Sequence, residues 1–275
     1  SSLKRWSEVV AMNTVSVMVV LPTLGDRLES LALALESCAT FPAHIAPTVV
    51  VVTPRRASAA RQLALRHDAI VINDPGSGMA DAINAAIATR EDEKYYIWVG
   101  DDDVLVGAGI AAAVEELERT PAAVVAYGRC EYIDDAGRVL GKNSAGKVAQ
   151  LLLPWGPNLI PHPGTVVSMD AIANAGGFDS ELSYALDLDL FLRLRRQGLF
   201  LHVKHTTAQF RWHAESLTVA DRRASSREAM KVKASYLPNL LKPVAPLWQW
   251  PVAWASTVAA RQVSRRAAKK GSLET

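Results

Sequence analysis

Short apolar runs rich in β-branched residues alternate with longer stretches in which apolar residues recur every three or four positions. The short runs are typical of strands buried on both faces, and the longer spacing is typical of amphipathic helices packed against them. Four strand–helix units in succession predict a parallel sheet with helices on both faces. The predicted strands are 15–21, 48–53, 69–73 and 95–99, and the predicted helices are 27–40, 58–67, 79–89 and one from about Gly109, with Asp26 as a cap of the first.

The pattern changes after residues 124–127. Residues 130–140 predict a hairpin that turns at 134–137, followed by an irregular Pro- and Gly-rich stretch at 154–164 and a helix over 187–197. From about residue 221 the chain becomes basic and rich in Trp. We therefore expect a nucleotide-sugar-binding half at 15–130, an acceptor-binding half of the same domain at 131–220 and a helical extension at 221–275.

Composition narrows the class of protein. The 275 residues are 49% hydrophobic and 21% charged, with a net charge of +2, which fits a globular protein and argues against a nucleic-acid partner. Cys38 and Cys130 lie too far apart in sequence to suggest a zinc cluster, and reduced thiols are the simpler interpretation. Neither a transmembrane run nor a signal peptide is visible, so we expect a cytoplasmic protein.

Three consecutive carboxylates follow the fourth predicted strand. In open α/β sheets, ligands bind beyond the carboxyl ends of the strands. Asp101, Asp102 and Asp103 crowd together there, and like charges raise one another's pKa unless a positive charge compensates them. A divalent cation held with phosphate oxygens is one solution. A cap for the following helix is the other.

Five segments in the same order carry a family resemblance. They are 17–27, 78–84, 98–103, 176–193 (with Gly176-Gly177-Phe178-Asp179 and Ala185 to Arg193) and 210–218. Together they resemble the family 2 inverting glycosyltransferases, which have the GT-A fold, a mixed and mostly parallel sheet flanked by helices. The resemblance covers roughly residues 15–218.

The resemblance implies a single displacement with one catalytic base. That base would take a proton from the acceptor hydroxyl, while Mn or Mg neutralises the departing diphosphate. Asp187 aligns with the family's base, and Leu186 stands where the family often has Glu, a change that could raise the pKa of Asp187. Asp189 is the rival, although it could simply pair with Arg193 at i+4.

The metal and acceptor sides rest on the same resemblance. The predicted metal ligands are Asp101, Asp103 and His213, and His213 could instead contact the diphosphate or pack beside Trp212. His162 resembles an acceptor-side histidine of some members, or is a loop residue.

On the donor side, Arg27 could meet phosphate. Asp81 and Asn84 share a helical face suited to ribose or phosphate, or cap the helix near Gly78. Where the family commonly has an Asp-rich segment, this chain has Thr53-Pro54-Arg55-Arg56, so UDP is not a safe inference and GDP or dTDP sugars remain open. The predicted donor-binding residues are Pro22, Thr23, Gly25, Arg27, Thr53, Gly78, Asp81, Asn84, Asp101 and Asp102.

The extension allows two interpretations. Between residues 222 and 270 there are eleven Lys or Arg and one acid, Glu228, and Trp248, Trp250 and Trp254 stand among apolar residues. Such a segment could bind anionic lipids at the inner face of the cytoplasmic membrane. It could equally pack its tryptophans on protein.

These observations predict transfer of a sugar from a nucleotide-diphosphate sugar to a hydroxyl of a glycan or lipid-linked acceptor, as in cell-wall or polysaccharide synthesis. A sugar nucleotidyltransferase shares the layered sheet and the metal, but its signature loop would be Gly-rich with Lys or Arg, and residues 23–27 are a poor version. A nucleotide-sugar-binding protein without catalysis is the third interpretation.

Overall fold

A computed structural model describes residues 14–143, 146–212 and 222–237. These residues form nine strands and eight helices in one sheet-based domain followed by a helix. The strands are β1 Val15–Pro22, β2 Ile45–Thr53, β3 Ile70–Asn73, β4 Tyr95–Trp98, β5 Val104–Leu105, β6 Ala123–Ile133, β7 Val139–Asn143, β8 Val166–Ser168 and β9 Leu199–Arg211. The helices are α1 Leu28–Cys38, α2 Ser58–Arg66, α3 Met79–Ile87, α4 Gly107–Arg119, α5 Val148–Leu152, α6 Met169–Ala175, α7 Leu186–Leu194 and α8 Arg222–Tyr236.

All nine strands belong to one mixed sheet. Its order is β3-β2-β1-β4-β8-β6-β9-β5, and β7 pairs with β6. The first four strands run parallel, as predicted. Strand β8 is antiparallel to both β4 and β6, while β6 and β9 are again parallel. The predicted fold class, a mixed sheet flanked by helices, is confirmed, and the sheet joins the two predicted halves.

Strand β1 shows why the core has two sides. Val17, Val19 and Leu21 are fully buried in one hydrophobic cluster, and Met18 and Val20 are fully buried in the other. Side chains alternate between the two faces of a strand, so a strand that is apolar at every position must be covered on both faces. Helices α1, α2 and α4 cover one face, and α3, α6, α7 and α8 contribute to the other.

One predicted helix cap is wrong, and one alternative cap is not formed. Helix α1 has Arg27, not Asp26, at its N-cap position, and no side chain of that residue caps it. Helix α4 begins at Gly107 after Val106, with no acid in its first turn. The three consecutive aspartates therefore do not cap α4, and their charges need another explanation.

The extension is described only over α8 and one residue beyond it. Trp248, Trp250 and Trp254, on which the membrane interpretation rests, lie outside the described residues, so that interpretation stays a prediction. In the part of the chain that the structure describes, no helix combines the length and apolarity needed to cross a bilayer. Cys38 and Cys130 are both buried free thiols.

Candidate active site

In the loop after β1, the backbone passes very close to the start of α2. Gly25 has a φ of 88°, and a Cβ added there would lie 2.5 Å from the Cβ of Ala57. Only glycine suits both the positive φ and the tight contact. The Gly25 amide donates to the Thr23 hydroxyl at 3.0 Å. This turn places Thr23 and Arg27 beside the aspartates that follow β4.

Arg27 supplies the positive charge that two of the aspartates need. Its Nη1 lies 2.6 Å from Asp102 Oδ2 and 3.8 Å from Asp101 Oδ1. Asp101 Oδ2 also accepts a hydrogen bond from the Thr23 hydroxyl at 2.6 Å. Burial raises the pKa of Asp101, which this hydrogen bond and Arg27 oppose. Each of the two aspartates remains 15% exposed, so both carboxylates can reach a ligand from solvent.

Asp103 differs from its two neighbours. Its side chain is 1% exposed, and its Oδ1 accepts the backbone N–H of Arg211 at 3.0 Å. Among the described residues, its Oδ2 has no hydrogen-bond partner. Burial, reinforced by the charge of Asp102, raises the pKa of Asp103 well above its usual range. This carboxyl group joins the aspartate loop to the end of β9.

Arg211 fixes that junction from the other side. Its Nε donates to the carbonyl oxygen of Asp102 at 3.1 Å. Its Nη1 donates to the carbonyl oxygens of Asp134 and Asp135 at 2.7 and 3.0 Å. The guanidinium thus ties the aspartate loop to the turn between β6 and β7, a role that the sequence analysis did not predict.

Asp187 lies in the first turn of α7. Asn158 donates to its Oδ2 at 3.0 Å, and the Leu188 amide donates to its Oδ1 at 2.7 Å. The residue as a whole is half-buried. Burial nevertheless raises its pKa to about 6, although these hydrogen bonds lower it. A carboxylate that is ionised near neutral pH and still holds a proton readily is suited to general base catalysis.

Asp189, two positions after Asp187, has a different environment. Its Oδ2 accepts from Arg193 Nε at 2.9 Å and lies 2.6 Å from Arg193 Nη2, and its Oδ1 accepts from the Tyr236 hydroxyl at 2.7 Å. The residue is 8% exposed. Both oxygens are thus engaged within the protein, which favours Asp187 as the group that meets a ligand.

A group of aromatic side chains on and beside β4 lies between the aspartate loop and Asp187. The ring of His162 stacks on that of Trp98 with centroids 4.6 Å apart, and its Nε2 lies 3.1 Å from the Tyr96 hydroxyl. Burial lowers the pKa of His162 to about 3, so the ring is neutral. Burial and the charge of Asp187 raise the pKa of Tyr96. The protonated phenol of Tyr96 and the neutral ring of His162 thus share one hydrogen bond, and the charge of Asp187 acts on the strand that leads to Asp101.

Two predicted donor-binding residues are engaged elsewhere. Asn84 donates to the carbonyl oxygen of Phe178 at 2.8 Å and accepts its amide at 2.9 Å. Asp81 accepts a hydrogen bond from Ser180, which lowers the pKa of Asp81. Both side chains hold the turn before α7 rather than capping α3, whose N-cap residue is Gly78 with a φ of 123°. Both residues therefore connect α3 to the segment between α6 and α7.

The end of β2 carries no carboxylate. Thr53 is fully buried, and its hydroxyl has no hydrogen-bond partner among the described residues. Arg61 Nη1 donates to the Thr53 carbonyl oxygen at 3.4 Å and to Asn73 Oδ1 at 3.2 Å. An arginine and an amide thus lie where the resembled family commonly has acids.

The metal prediction must be weighed against the available ligands. Among the residues the structure describes, no group of three or more His, Cys, Asp or Glu side chains could hold a metal ion. His213, the third predicted ligand, lies outside them. In proteins that bind nucleotide phosphates, a hard divalent cation is commonly held by one or two carboxylates together with the phosphates. The residues present fit that mode, because Asp101 and Asp102 are reachable and Asp103 Oδ2 has no partner in the part of the chain that the structure describes.

Two contacts of the Asp187 surroundings were absent from the sequence analysis. Asn158 was counted only as part of an irregular loop, although it holds Asp187. Glu228 was counted only as a lone acid in a basic tail, although it accepts three backbone N–H groups just before α7. The one available signal was that Glu228 is the single acid among many basic residues.

Comparison by sequence finds no match, whereas comparison by structure finds proteins of similar fold. No protein-family model matches the chain, and no curated protein matches it. The crystal structure of S. aureus TarS 1–349 in complex with UDP-GlcNAc superposes with a TM-score of 0.61 at 15% identity, covering 83% of this chain and 69% of that one. The longer S. aureus TarS structure has a TM-score of 0.58 at 15% identity, and the match covers 83% of this chain but 41% of that one.

A third solved structure is matched over more of this chain. It is the mannosyltransferase PcManGT from Pyrobaculum calidifontis in complex with GDP-Man and Mn²⁺. The TM-score is 0.60 at 17% identity, and the match covers 94% of this chain and 79% of that one. The chain therefore has a GT-A-like glycosyltransferase fold.

Proposed function

We propose that this chain is a metal-assisted inverting glycosyltransferase, which moves a sugar from a nucleotide-diphosphate sugar to a hydroxyl of a glycan or lipid-linked acceptor. The observation that carries the proposal is the environment of Asp187. Its carboxyl group has a pKa raised to about 6 by burial, and its charge acts on Tyr96 of β4. The reachable carboxylates Asp101 and Asp102 follow the end of the same strand.

Asp187 is the proposed base. The acceptor oxygen forms a bond to the anomeric carbon of the sugar while the bond from that carbon to the diphosphate oxygen breaks. The acceptor proton passes to a carboxylate oxygen of Asp187. Attack from the face opposite the leaving group inverts the anomeric centre, so one base suffices. Asn158 and the Leu188 amide hold the carboxylate in one orientation for this transfer.

Arg27, Asp101 and Asp102 form the proposed leaving-group side. Mn or Mg, when bound there with the diphosphate, neutralises the charge of the departing group. The two exposed carboxylates are the first ligands that a cation would reach, with Asp103 Oδ2 as a further one. Arg27 now neutralises Asp102, and it can turn its guanidinium to the diphosphate once a cation takes that place.

The donor base remains to be chosen by experiment. The two neighbouring proteins bind UDP-GlcNAc and GDP-Man. Arg61 of α2 and Asn73 at the end of β3 place guanidinium and amide donors beside the end of β2, where a carboxylate would only accept hydrogen bonds. We therefore include GDP and dTDP sugars beside UDP sugars in the test.

The test is incubation with a panel of nucleotide sugars and Mn²⁺ or Mg²⁺. We expect slow release of nucleoside diphosphate from one donor class without acceptor and faster release with a suitable glycan or lipid-linked acceptor. Release of pyrophosphate from a nucleoside triphosphate and a sugar phosphate would instead identify a nucleotidyltransferase. If no nucleotide sugar binds in the presence of metal, the proposed function is wrong.

A further inference from the structure

Helix α8 contributes a carboxylate to the start of the helix that carries Asp187. Glu228 Oε1 accepts the Ser183 amide at 3.0 Å. Its Oε2 accepts the amides of Tyr184 and Ala185, both at 2.6 Å. One side chain from a helix that is distant in sequence thus binds three consecutive backbone N–H groups. Charge-assisted bonds of this kind are stronger than those between neutral groups.

Helix α7 has a local reason to need this contact. Its N-cap residue is Ala185, which has no side chain able to accept the free N–H groups of a first helical turn. A negative charge near a helix N-terminus is stabilising, because the aligned peptide dipoles leave positive charge there. Glu228 supplies that charge from outside, immediately before the turn that contains Asp187.

A second side chain of α8 reaches the loop that contacts Asp187. The buried Lys233 donates its Nζ to the carbonyl oxygen of Gly156. Gly156 lies two residues before Asn158, which donates to Asp187 Oδ2. Burial lowers the pKa of Lys233 to about 8. A lysine buried against one carbonyl oxygen has few alternative positions, so it restrains the loop on which Asn158 lies.

The packing of α8 makes these contacts firm. Glu228 and Val232 are four residues apart and Tyr236 follows after four more, so the three share one helical face. Val232 is 6% exposed within the same hydrophobic cluster as α7. Tyr236 packs against that cluster and donates its hydroxyl to Asp189. The face of α8 turned to the domain is therefore continuous with the core behind α7.

We propose that Glu228 and Lys233 are positioning residues for Asp187, so that the first helix of the C-terminal extension is part of the active site. Glu228 holds the start of α7, and Lys233 holds the loop that presents Asn158. Neither residue touches the reacting groups. The inference rests on the proposed function, because it takes Asp187 as the base.

The experiment compares Glu228→Gln and Lys233→Met with two matched changes at exposed positions, Glu181→Gln and Lys231→Met. Transfer is measured with the donor that the wild type uses. For the first pair we expect kcat to fall about 10- to 100-fold, since small displacements of a catalytic group cost this much. We expect the donor KM to stay within about twofold, because Arg27, Asp101 and Asp102 are untouched. The control pair should retain wild-type kcat.

Hydrogen exchange gives a readout that does not depend on activity. In Glu228→Gln the amides of residues 183–188 should exchange faster than in the wild type, whereas those of β1 to β4 should not change. Glutamine keeps the size of glutamate but loses the charge that binds the three amides. Circular dichroism and Tm confirm folding, and if Glu228→Gln does not fold, Lys233→Met carries the kinetic test.

Two results would overturn this inference. One is a wild-type kcat in Glu228→Gln and Lys233→Met. The other is an equal loss in kcat and in donor affinity with faster exchange throughout the sheet, which would mark a general structural role. Failure of the proposed function looks different, because the wild type itself would then neither bind nor cleave any nucleotide sugar.

Discussion

The two carboxylate centres of this site hold their charge in opposite ways. After β4, three aspartates are crowded together, and Arg27 and Thr23 compensate two of them directly. At the start of α7, Asp189 is paired with Arg193, and the contacts that favour the charge of Asp187 are hydrogen bonds from an amide side chain and a backbone N–H. The first centre is prepared to meet a cation or phosphate, and the second is prepared to exchange a proton.

This difference explains how one residue type can do two kinds of chemistry. A positive charge beside a carboxylate lowers its pKa, and a poorly solvated place raises it. At Asp101, Arg27 and the hydrogen bond from Thr23 oppose the effect of burial. At Asp187 only hydrogen bonds oppose it, and burial raises the pKa to about 6. The comparison can therefore be tested one carboxylate at a time.

The largest expected effect is on the base side. Asp187→Asn should lower kcat by about 10²- to 10⁴-fold, the usual loss when a general base is removed, while the donor Kd changes by less than about twofold. The donor contacts lie at the other centre and keep their charge. Steady-state transfer assays and calorimetric titration of the donor measure the two quantities, with the exposed Asp170→Asn as the control.

Loss of donor affinity in Asp187→Asn would contradict this division, because it would move Asp187 to the donor side.

The variant Asp187→Asn should also be more stable than the wild type at pH 7. The folded state raises the pKa of Asp187, so the native protein binds more protons than the unfolded chain between about pH 4 and 6, and its stability falls as pH rises through that window. Asparagine removes this unfavourable charge.

The next largest effect is on donor binding, and comparing two adjacent aspartates shows which of them binds the cation. Asp102→Asn should weaken Mn²⁺-dependent donor binding by about tenfold or more, a loss of about 1.4 kcal/mol, because its carboxylate is partly exposed and within reach of a cation. Asp103→Asn should have a smaller effect, since this carboxyl group is enclosed and bonded to the Arg211 amide. Donor titrations with and without Mn²⁺ measure both. A larger loss in Asp103→Asn would make Asp103 the principal metal ligand.

The pH dependence of transfer separates the two centres without mutation. Only ionised Asp187 can accept the acceptor proton, so kcat should fall as pH drops through about 6, close to tenfold per pH unit below it. Donor binding should change less over the same range, because Asp187 lies outside the proposed leaving-group side. Rate profiles between pH 4.5 and 8 test this. A kcat that stays flat down to pH 5 would mean that Asp187 is not the titrating base.

The sequence predicts the first of these centres more completely than the second. The apolar runs and their Gly- or Pro-containing ends place β1 and β4 correctly, and parallel strands bring Thr23 and Asp101 to one edge of the sheet. These relations follow from short-range pattern and one topological rule. Compensation of the aspartates by a positive charge was foreseen as a need, although its source in Arg27 was not.

The surroundings of Asp187 could not be predicted in the same way. Asn158 lies in a loop without periodic pattern, and its contact with Asp187 spans 29 residues. Glu228 reaches residues 183–185 from a different helix. Arg211 joins β9 to a turn that is more than seventy residues earlier. Such contacts depend on tertiary packing, which leaves no periodic signal in one sequence. The predicted helix over 187–197 was nevertheless correct in type and place.

The smallest expected effect on catalysis concerns Asp189, the rival base. Both of its oxygens are bonded, to Arg193 and to Tyr236, and it is 8% exposed. Asp189→Asn should therefore cost stability, about 2 kcal/mol for weakening a buried, hydrogen-bonded ion pair, and should change kcat by less than about threefold. Chemical denaturation and transfer assays measure the two effects. Because Asp187 remains, the fall in kcat below about pH 6 should persist in this variant. If that fall disappears while the protein stays folded, Asp189 is the base, and the contrast between the two centres must be drawn around it instead.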